Sequence, residues 1–201
     1  MKQKNRVSAT YGHEVRIVGG QWKRSKLAVV DKAGLRPTPD RVRETLFNWL
    51  GQDLSGWRCI DAFAGTGALG FEAASRGARD VLLVEQDAAL VAQLKRVQMQ
   101  LQASATRIVR GDGVAALRQL AAASMEAVFL DPPFDSLSYE AALQAAARAL
   151  APDGYVYLEA PILWTRTQLE PLGLILHRYL KAGAVHAHLL RLLPPAQVQA
   201  A

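Results

Sequence analysis

The chain contains a single cysteine, Cys59, so no intrachain disulfide can form and no thiolate cluster is available to hold a metal. Cys59 lies in the apolar-leaning run Trp57-Arg58-Cys59-Ile60 and reads as a buried strand residue. Long apolar runs are also missing. Nothing approaches the roughly 20 residues of a membrane-spanning helix. The charged start Met1-Lys2-Gln3-Lys4-Asn5-Arg6 is followed by no apolar segment of the signal-peptide kind, and a cytoplasmic protein is the expectation. Acidic residues are scarce in one place. Residues 1–43 hold 11 Lys and Arg against three acids, a local excess of +8, while the remainder carries −2 of the net +6. Such asymmetry points to a polyanionic partner, as nucleic acid is through counterion release; a basic solvated tail that binds nothing would show the same count.

Half of the 201 residues are hydrophobic, enough for one substantial core with a small appendage but not for two full domains. The expected division is a basic N-terminal extension over 1–52 and a main domain over 53–201. Val15-Arg16-Ile17-Val18 and Leu27-Ala28-Val29-Val30 read as short strands around the loop Gly19-Gly20-Gln21-Trp22-Lys23-Arg24-Ser25-Lys26, a hairpin with a basic, Trp-bearing tip. Arg16, Trp22, Lys23, Arg24, Lys26 and Arg41 are the candidate RNA contacts. Thr38 suits a helix N-cap, with Pro39 at the first helical position and Asp40 in the first turn; the helix would run to a stop at Gly51, leaving Arg41 and Arg43 polar and available.

From Trp57 onward the periodicity alternates. Strands are expected at 59–63, 81–85, 107–110, 127–130 and 155–159, and helices at 68–75, 88–101, 114–122 and 139–150. Repeated βα units of this length imply a parallel, doubly wound sheet with right-handed crossovers. Residues 172–192 lack a helical pattern and read as two more strands, an antiparallel edge hairpin around Ala182-Gly183.

The first of these strands leads into Asp61-Ala62-Phe63-Ala64-Gly65-Thr66-Gly67-Ala68-Leu69-Gly70, where Gly65, Gly67 and Gly70 have G-x-G-x-x-G spacing and let the backbone approach a ligand closely. Glu85, about 20 residues on, ends the next strand, where a carboxylate can accept from two ribose hydroxyls. The pair points to a nucleoside-bearing cofactor. NAD would fit the fingerprint, but Asp61 at the mouth of the loop suits a sulfonium or an ammonium and gains nothing from a pyrophosphate. Asp112, after the third strand, can accept from an adenine amino group or cap the helix beginning at Gly113. Candidate cofactor residues are therefore Phe63, Ala64, Thr66, Gln86, Gly111 and Gly113 in addition to Asp61, Gly65, Gly67, Glu85, Asp112 and Asp131.

Asp131-Pro132-Pro133-Phe134 follows the apolar run Ala127-Val128-Phe129-Leu130, which delivers a carboxylate to a strand tip. One carboxylate for an N–H, carbonyls fixed by proline and a ring for stacking suit chemistry on a flat, amino-bearing base. Asp-Pro is also a common turn opener.

The Gly loop, Glu85, Asp112 and Asp131-Pro132-Pro133-Phe134, in that order, resemble a class I S-adenosylmethionine-dependent methyltransferase of the amino-modifying kind. Arg16-Ile17-Val18-Gly19-Gly20-Gln21-Trp22 and Leu35-Arg36-Pro37-Thr38-Pro39-Asp40-Arg41-Val42-Arg43-Glu44-Thr45-Leu46-Phe47-Asn48 narrow the resemblance to the RsmD family of bacterial rRNA guanine-N2 methyltransferases. The resemblance implies a Rossmann-like, mostly parallel seven-stranded sheet, and methylation of one guanine in 16S rRNA by a monomer acting on the small subunit or an assembly intermediate. It also implies that Arg36 and Thr38 form part of the cofactor-side wall. An adenine-N6 or cytosine-N4 methyltransferase acting on DNA or RNA would use the same Asp-Pro-Pro-aromatic element. An NAD-dependent oxidoreductase would leave that element without a task, and a silent RNA-binding factor would not need the Gly loop. His186 and His188 share one face of a presumed exposed strand with no carboxylate or thiol nearby in sequence, and no metal is expected.

Reversing the charges of Lys23, Arg24 and Lys26 is expected to weaken RNA binding and reduce the log–log salt slope by up to about three, one for each phosphate no longer neutralised, with cofactor affinity unchanged. Filter-binding titrations across a salt series measure this, and an unaltered slope would place the RNA elsewhere.

Overall fold

The computed structural model describes residues 15–27, 38–133 and 138–194. Phe134, Arg36 and His13 therefore lie outside the described residues, as do residues 28–30 of the second hairpin strand. Strands with continuous apolar runs need cover on both faces, and the order of elements supplies it. The strands β3 (Arg58–Asp61), β4 (Asp80–Glu85), β5 (Thr106–Arg110), β6 (Met125–Leu130) and β7 (Leu150–Ala160) alternate with the helices α2 (Ala68–Ser75), α3 (Ala88–Leu101), α4 (Gly113–Gln119) and α5 (Tyr139–Ala149). The sheet order is β5-β4-β3-β6-β7-β9-β8, where β8 (Leu174–Ala182) and β9 (Val185–Leu192) form the antiparallel edge hairpin, β9 pairs antiparallel with β7, and the other pairs are parallel. This is the doubly wound, mostly parallel seven-stranded sheet that the resemblance implied. Its order reverses between β3 and β6, which makes their C-terminal tips the expected ligand crevice.

Two apolar layers flank the sheet. One holds Cys59, Val81, Leu83, Phe129 and Tyr157 beneath α1 (Asp40–Leu50), α2 and α3; the other holds Ile60, Leu82, Val128 and Leu158 beneath α4 and α5. Leu46 and Phe47 of α1 are fully buried, the latter 6.1 Å from the Phe129 ring, and each stabilises by about 1.5–3 kcal/mol. Among the described residues no helix is long and apolar enough to cross a membrane.

The N-terminal hairpin, β1 (Val15–Arg16) paired with β2 (Lys26–Leu27), shares the first layer through Val15, Ile17 and Leu27. Its loop lies directly on α2. The Gln21 and Trp22 amides donate to the Ser75 carbonyl and Oγ at 2.8 and 3.0 Å, and the Ser75 hydroxyl donates to the Gly19 carbonyl at 2.7 Å. A Cβ on Gly20, whose φ is +73°, would come within 2.0 Å of the Ser75 carbonyl oxygen, so the contact requires glycine. Beside it, the buried Glu72 carboxylate accepts from the Val18 amide at 2.8 Å and pairs with Arg76 at 2.9 Å and Arg43 at 3.4 Å.

Four expectations need correction. Arg43 is not available at the surface: it is fully buried, held by Glu72, by Asp40 and by the Thr38 carbonyl. Thr38 does not cap α1; Pro39 occupies that position, and the Thr38 hydroxyl instead donates to Glu159 Oε1 at 2.7 Å. His188 is not on an exposed face. It is fully buried, accepting the Trp164 amide at Nε2, 3.1 Å, with Nδ1 3.3 Å from the Leu158 carbonyl, because the chain at Trp164 lies against that face of β9. Finally, β7 begins at Leu150 rather than 155: its register shifts between Met125↔Leu150 and Ala127↔Tyr155, an irregularity the alternation of residues did not display. A short helix, α6 (Arg166–Leu169), also precedes β8, with a capping box from Thr165 and Gln168.

Glu72→Ala should destabilise the protein by about 3–5 kcal/mol, because two buried guanidinium groups and one amide lose their shared acceptor. Urea unfolding reads this, and a loss below about 1 kcal/mol would show that the clamp contributes little.

Candidate active site

At the crevice, the chain turns from β3 into α2 through a loop with left-handed backbone at Gly65 and Gly67, φ +51° and +78°. Gly67 caps α2, donating its amide to the Ala64 carbonyl at 2.6 Å, while the Ala64 amide donates to the Val84 carbonyl at 2.9 Å. Glu85, at the tip of β4, braces the loop: its Oε2 accepts from the Gly65 amide and its Oε1 from the Asp87 amide, both at 2.8 Å. Each oxygen retains a lone pair for a further donor. Phe63 and Gly65 are partly exposed, whereas Ala64, Thr66 and Gly67 are buried. Asp61 is buried beneath the loop and accepts from the Gly70 amide at 2.9 Å, so its side chain is engaged by backbone. Burial pushes its carboxyl up to about 7, with Glu85 and Glu159 adding to the rise and the Gly70 and Phe63 amides opposing it.

Beyond β5, Asp112 caps α4: Oδ1 accepts from the Ala115 amide at 2.7 Å and Oδ2 from the exposed Gln86 side chain at 2.9 Å. Gly113 is packed under the first loop, where a Cβ would come within 2.1 Å of the Ala62 carbonyl oxygen. A Cβ on Gly111 would meet nothing within 4 Å, so the wall between Glu85 and Asp112 is open.

Asp131 closes the other side, at the tip of β6 and partly exposed, with Pro132 buried and Pro133 exposed. No hydrogen-bond donor among the described residues reaches it. Burial raises its carboxyl well above the usual range, and the negative charges of Glu159 and Asp61 raise it further. Tyr139, at the start of α5, brings its hydroxyl to 3.5 Å from the Pro132 carbonyl and its ring to 6.2 Å from Trp164. Of the candidate RNA contacts, Arg16, Lys23, Arg24, Lys26 and Arg41 are exposed; Trp22 packs partly against the core.

Sequence reasoning missed Glu159 and Tyr157. Leu130 pairs with Leu158, so Asp131 and Glu159 follow side by side on parallel strands roughly 5 Å apart. Glu159 is buried, and its Oε1 accepts from both the Thr38 hydroxyl and the Tyr157 hydroxyl, the latter at 2.9 Å. The signal was present: an acid ending an apolar strand is the same pattern that singled out Glu85 and Asp131.

Four carboxyls thus stand at the ends of β3, β4, β6 and β7, Asp61 and Glu159 buried, Glu85 and Asp131 partly exposed. The two partly exposed ones suit a ligand carrying positive charge, as a sulfonium with an α-ammonium does, better than a pyrophosphate. The open left-handed loop and Glu85 offer backbone and carboxylate to a nucleoside. Among the described residues no group of three or more His, Cys, Asp or Glu is arranged to hold a metal ion.

Gly113→Ala is expected to lower the melting temperature by several degrees, since backbone must move to admit the methyl, while Gly111→Ala should melt like the native protein. Scanning calorimetry of the two variants tests this contrast, and equal losses would contradict it.

The family model described as Conserved hypothetical protein 95 matches residues 15–191. Ribosomal RNA small subunit methyltransferase D of Escherichia coli strain K12 is 40% identical over 178 residues, covering 86% of this chain and 87% of its own length. The protein of that name from Haemophilus influenzae is 37% identical over 178 residues, covering 82% of this chain and 92% of its own. The solved structure of yhhF from Escherichia coli superposes with a TM-score of 0.78 at 37% identity, covering 89% of this chain and 98% of that one. The crevice, its loop and the Asp131 tip therefore sit within a chain that belongs to the ribosomal RNA small subunit methyltransferase D (RsmD) family.

Proposed function

We propose that this protein transfers a methyl group from S-adenosylmethionine to the exocyclic N2 of one guanine in 16S rRNA, acting in the cytoplasm, as a monomer, on the small ribosomal subunit or an assembly intermediate. The observation that carries the reading is Asp131: a carboxylate at the sheet's switch point with no donor from the described residues, beside a loop suited to a nucleoside. Among the described residues such a group has no N–H partner, and an exocyclic amine would supply one. The names of the relatives support ribosomal RNA as substrate, and the basic extension over residues 1–52 supports a polyanion.

The cofactor would supply an electrophilic methyl group on a sulfonium. Glu85 would accept from its ribose hydroxyls, Asp112 and Gln86 would face its adenine, and Phe63 through Gly67 would cradle its amino-acid end, with Arg36 and Thr38 from the extension on the opposite wall. The guanine amino nitrogen is conjugated with its ring, so it must pyramidalise before it attacks. Asp131 would accept one N–H and the Pro132 carbonyl the other, holding the nitrogen in line with the methyl carbon, which is the larger part of the rate gain. Phe134 would stack on the base, drawn from a loop or unstacked for the purpose. Arg16, Trp22, Lys23, Arg24, Lys26 and Arg41 would supply backbone affinity.

Small subunits from cells lacking this gene, incubated with methyl-labelled S-adenosylmethionine and the purified protein, should carry label in N2-methylguanosine after digestion. Label in N6-methyladenosine or N4-methylcytosine would replace guanine by another base with the same chemistry. Asp131→Ala should bind the cofactor normally yet lose at least about a hundredfold in kcat; native turnover would remove Asp131 from the mechanism.

A further inference from the structure

Glu159 has no place in the transfer as written above, yet it is the group most closely tied to Asp131. The two end adjacent parallel strands on the same side of the sheet, one residue beyond the Leu130↔Leu158 pair. Glu159 is 3% exposed, too buried to contact a base directly. Burial raises the Glu159 carboxyl, and the two hydroxyls that converge on its Oε1, from Thr38 at 2.7 Å and Tyr157 at 2.9 Å, oppose that rise by stabilising the anion. The titratable groups around the pair are Asp61 from β3, the neutral Tyr157 from β7 and Arg43 from α1. Arg43 favours the Glu159 anion, while Asp61 and Glu159 both act on Asp131 as like charges. A charge on Glu159 beside a carboxylate that has no donor among the described residues increases the proton affinity of that neighbour.

We propose that Glu159 is a positioning residue that makes Asp131 a proton acceptor for the reacting amine, rather than a hydrogen-bond partner alone. As nitrogen bonds to the methyl carbon and the sulfur–carbon pair of electrons returns to sulfur, one N–H bond breaks. Its electrons stay on nitrogen and the proton bonds to an Asp131 carboxylate oxygen, from which water takes it once product has left. Thr38 brings the N-terminal extension into this arrangement. It stands at the end of the segment that leads from the basic hairpin into α1, so the element proposed to meet RNA also supplies a donor that holds the Glu159 anion.

This inference rests on Asp131 being the acceptor for the amine, and the experiment separates the two. Glu159→Gln keeps a carbonyl for the two hydroxyls and removes the charge. Single-turnover rates on unmethylated small subunits, saturated with S-adenosylmethionine, are measured from about pH 5 to 9. The native acid limb reports ionisation of Asp131. In Glu159→Gln it should move to lower pH by about one unit or more. The plateau rate should fall about tenfold because the base is weaker, with KM for both substrates within about twofold. Glu159→Asp, which keeps the charge, should retain the native limb. An unmoved limb in Glu159→Gln overturns the proposal whatever the plateau does, as does a native profile that is flat from pH 5 to 8, which needs no variant to fold. Full turnover by Asp131→Asn, or no transfer to RNA at all, would instead remove the reading of Asp131 on which the proposal stands.

Discussion

The buried carboxylate of Glu72 is the constraint on which the N-terminal third of the molecule depends. It is one side chain on α2, yet it accepts from the Val18 amide of the hairpin, from Arg43 of α1 and from Arg76 just past the end of its own helix. The two guanidinium groups have little water to fall back on, since Arg43 and Arg76 are 0% and 6% exposed. Removing one member leaves charge stranded in an apolar layer, a far larger effect than losing an exposed ion pair of the kind formed by Arg107 and Asp80. The same helix begins at the glycine loop. Fixing the hairpin to α2 therefore also fixes it relative to the crevice, although Glu72 contacts neither ligand.

A second constraint runs across the sheet tips. Bringing Asp61, Glu85, Asp131 and Glu159 together at one edge is unfavourable, because burial and mutual repulsion both oppose ionisation. The chain offsets this unevenly. Asp61 and Glu85 are satisfied by backbone amides, and Glu159 by two hydroxyls; Asp131 alone is left without a donor among the described residues. The asymmetry is chemically informative. Three acids are built into the framework, and the fourth takes no donor from the described residues.

How much of this could be read from the chain alone divides along physical lines. Local signals were reliable: α2 and α3 span the residues their 3.6-residue pattern and flanking Gly and Asp residues indicated, and the edge hairpin turns at Gly183. That the Gly loop, Glu85, Asp112 and Asp131 stand at or just past the ends of strands was legible from the alternation of strand and helix patterns. What was not legible depended on partners distant in sequence. Thr38 has the sequence of an N-cap but bonds a residue 121 positions away, and Arg43 has the sequence of a surface residue on α1 but is buried by Glu72, 29 positions on. His188 looked exposed because alternation assigns a face, not what covers it; the chain at Trp164, 24 positions away, lies against it.

The charge distribution ties these pieces together. The body of the chain carries −2 and concentrates acids at the crevice, which favours a cationic methyl donor and opposes the approach of a phosphate backbone. The +8 of residues 1–43 acts in the opposite sense, and the exposed Arg16, Lys23, Arg24, Lys26 and Arg41 lie on elements locked to the domain by Glu72, Ser75 and Thr38. In the function proposed above, a polyanion would be held at the surface by one region while a single base is offered to the other, and the attachment of the hairpin and α1 to the domain through Glu72, Ser75 and Thr38 would set the distance between the two.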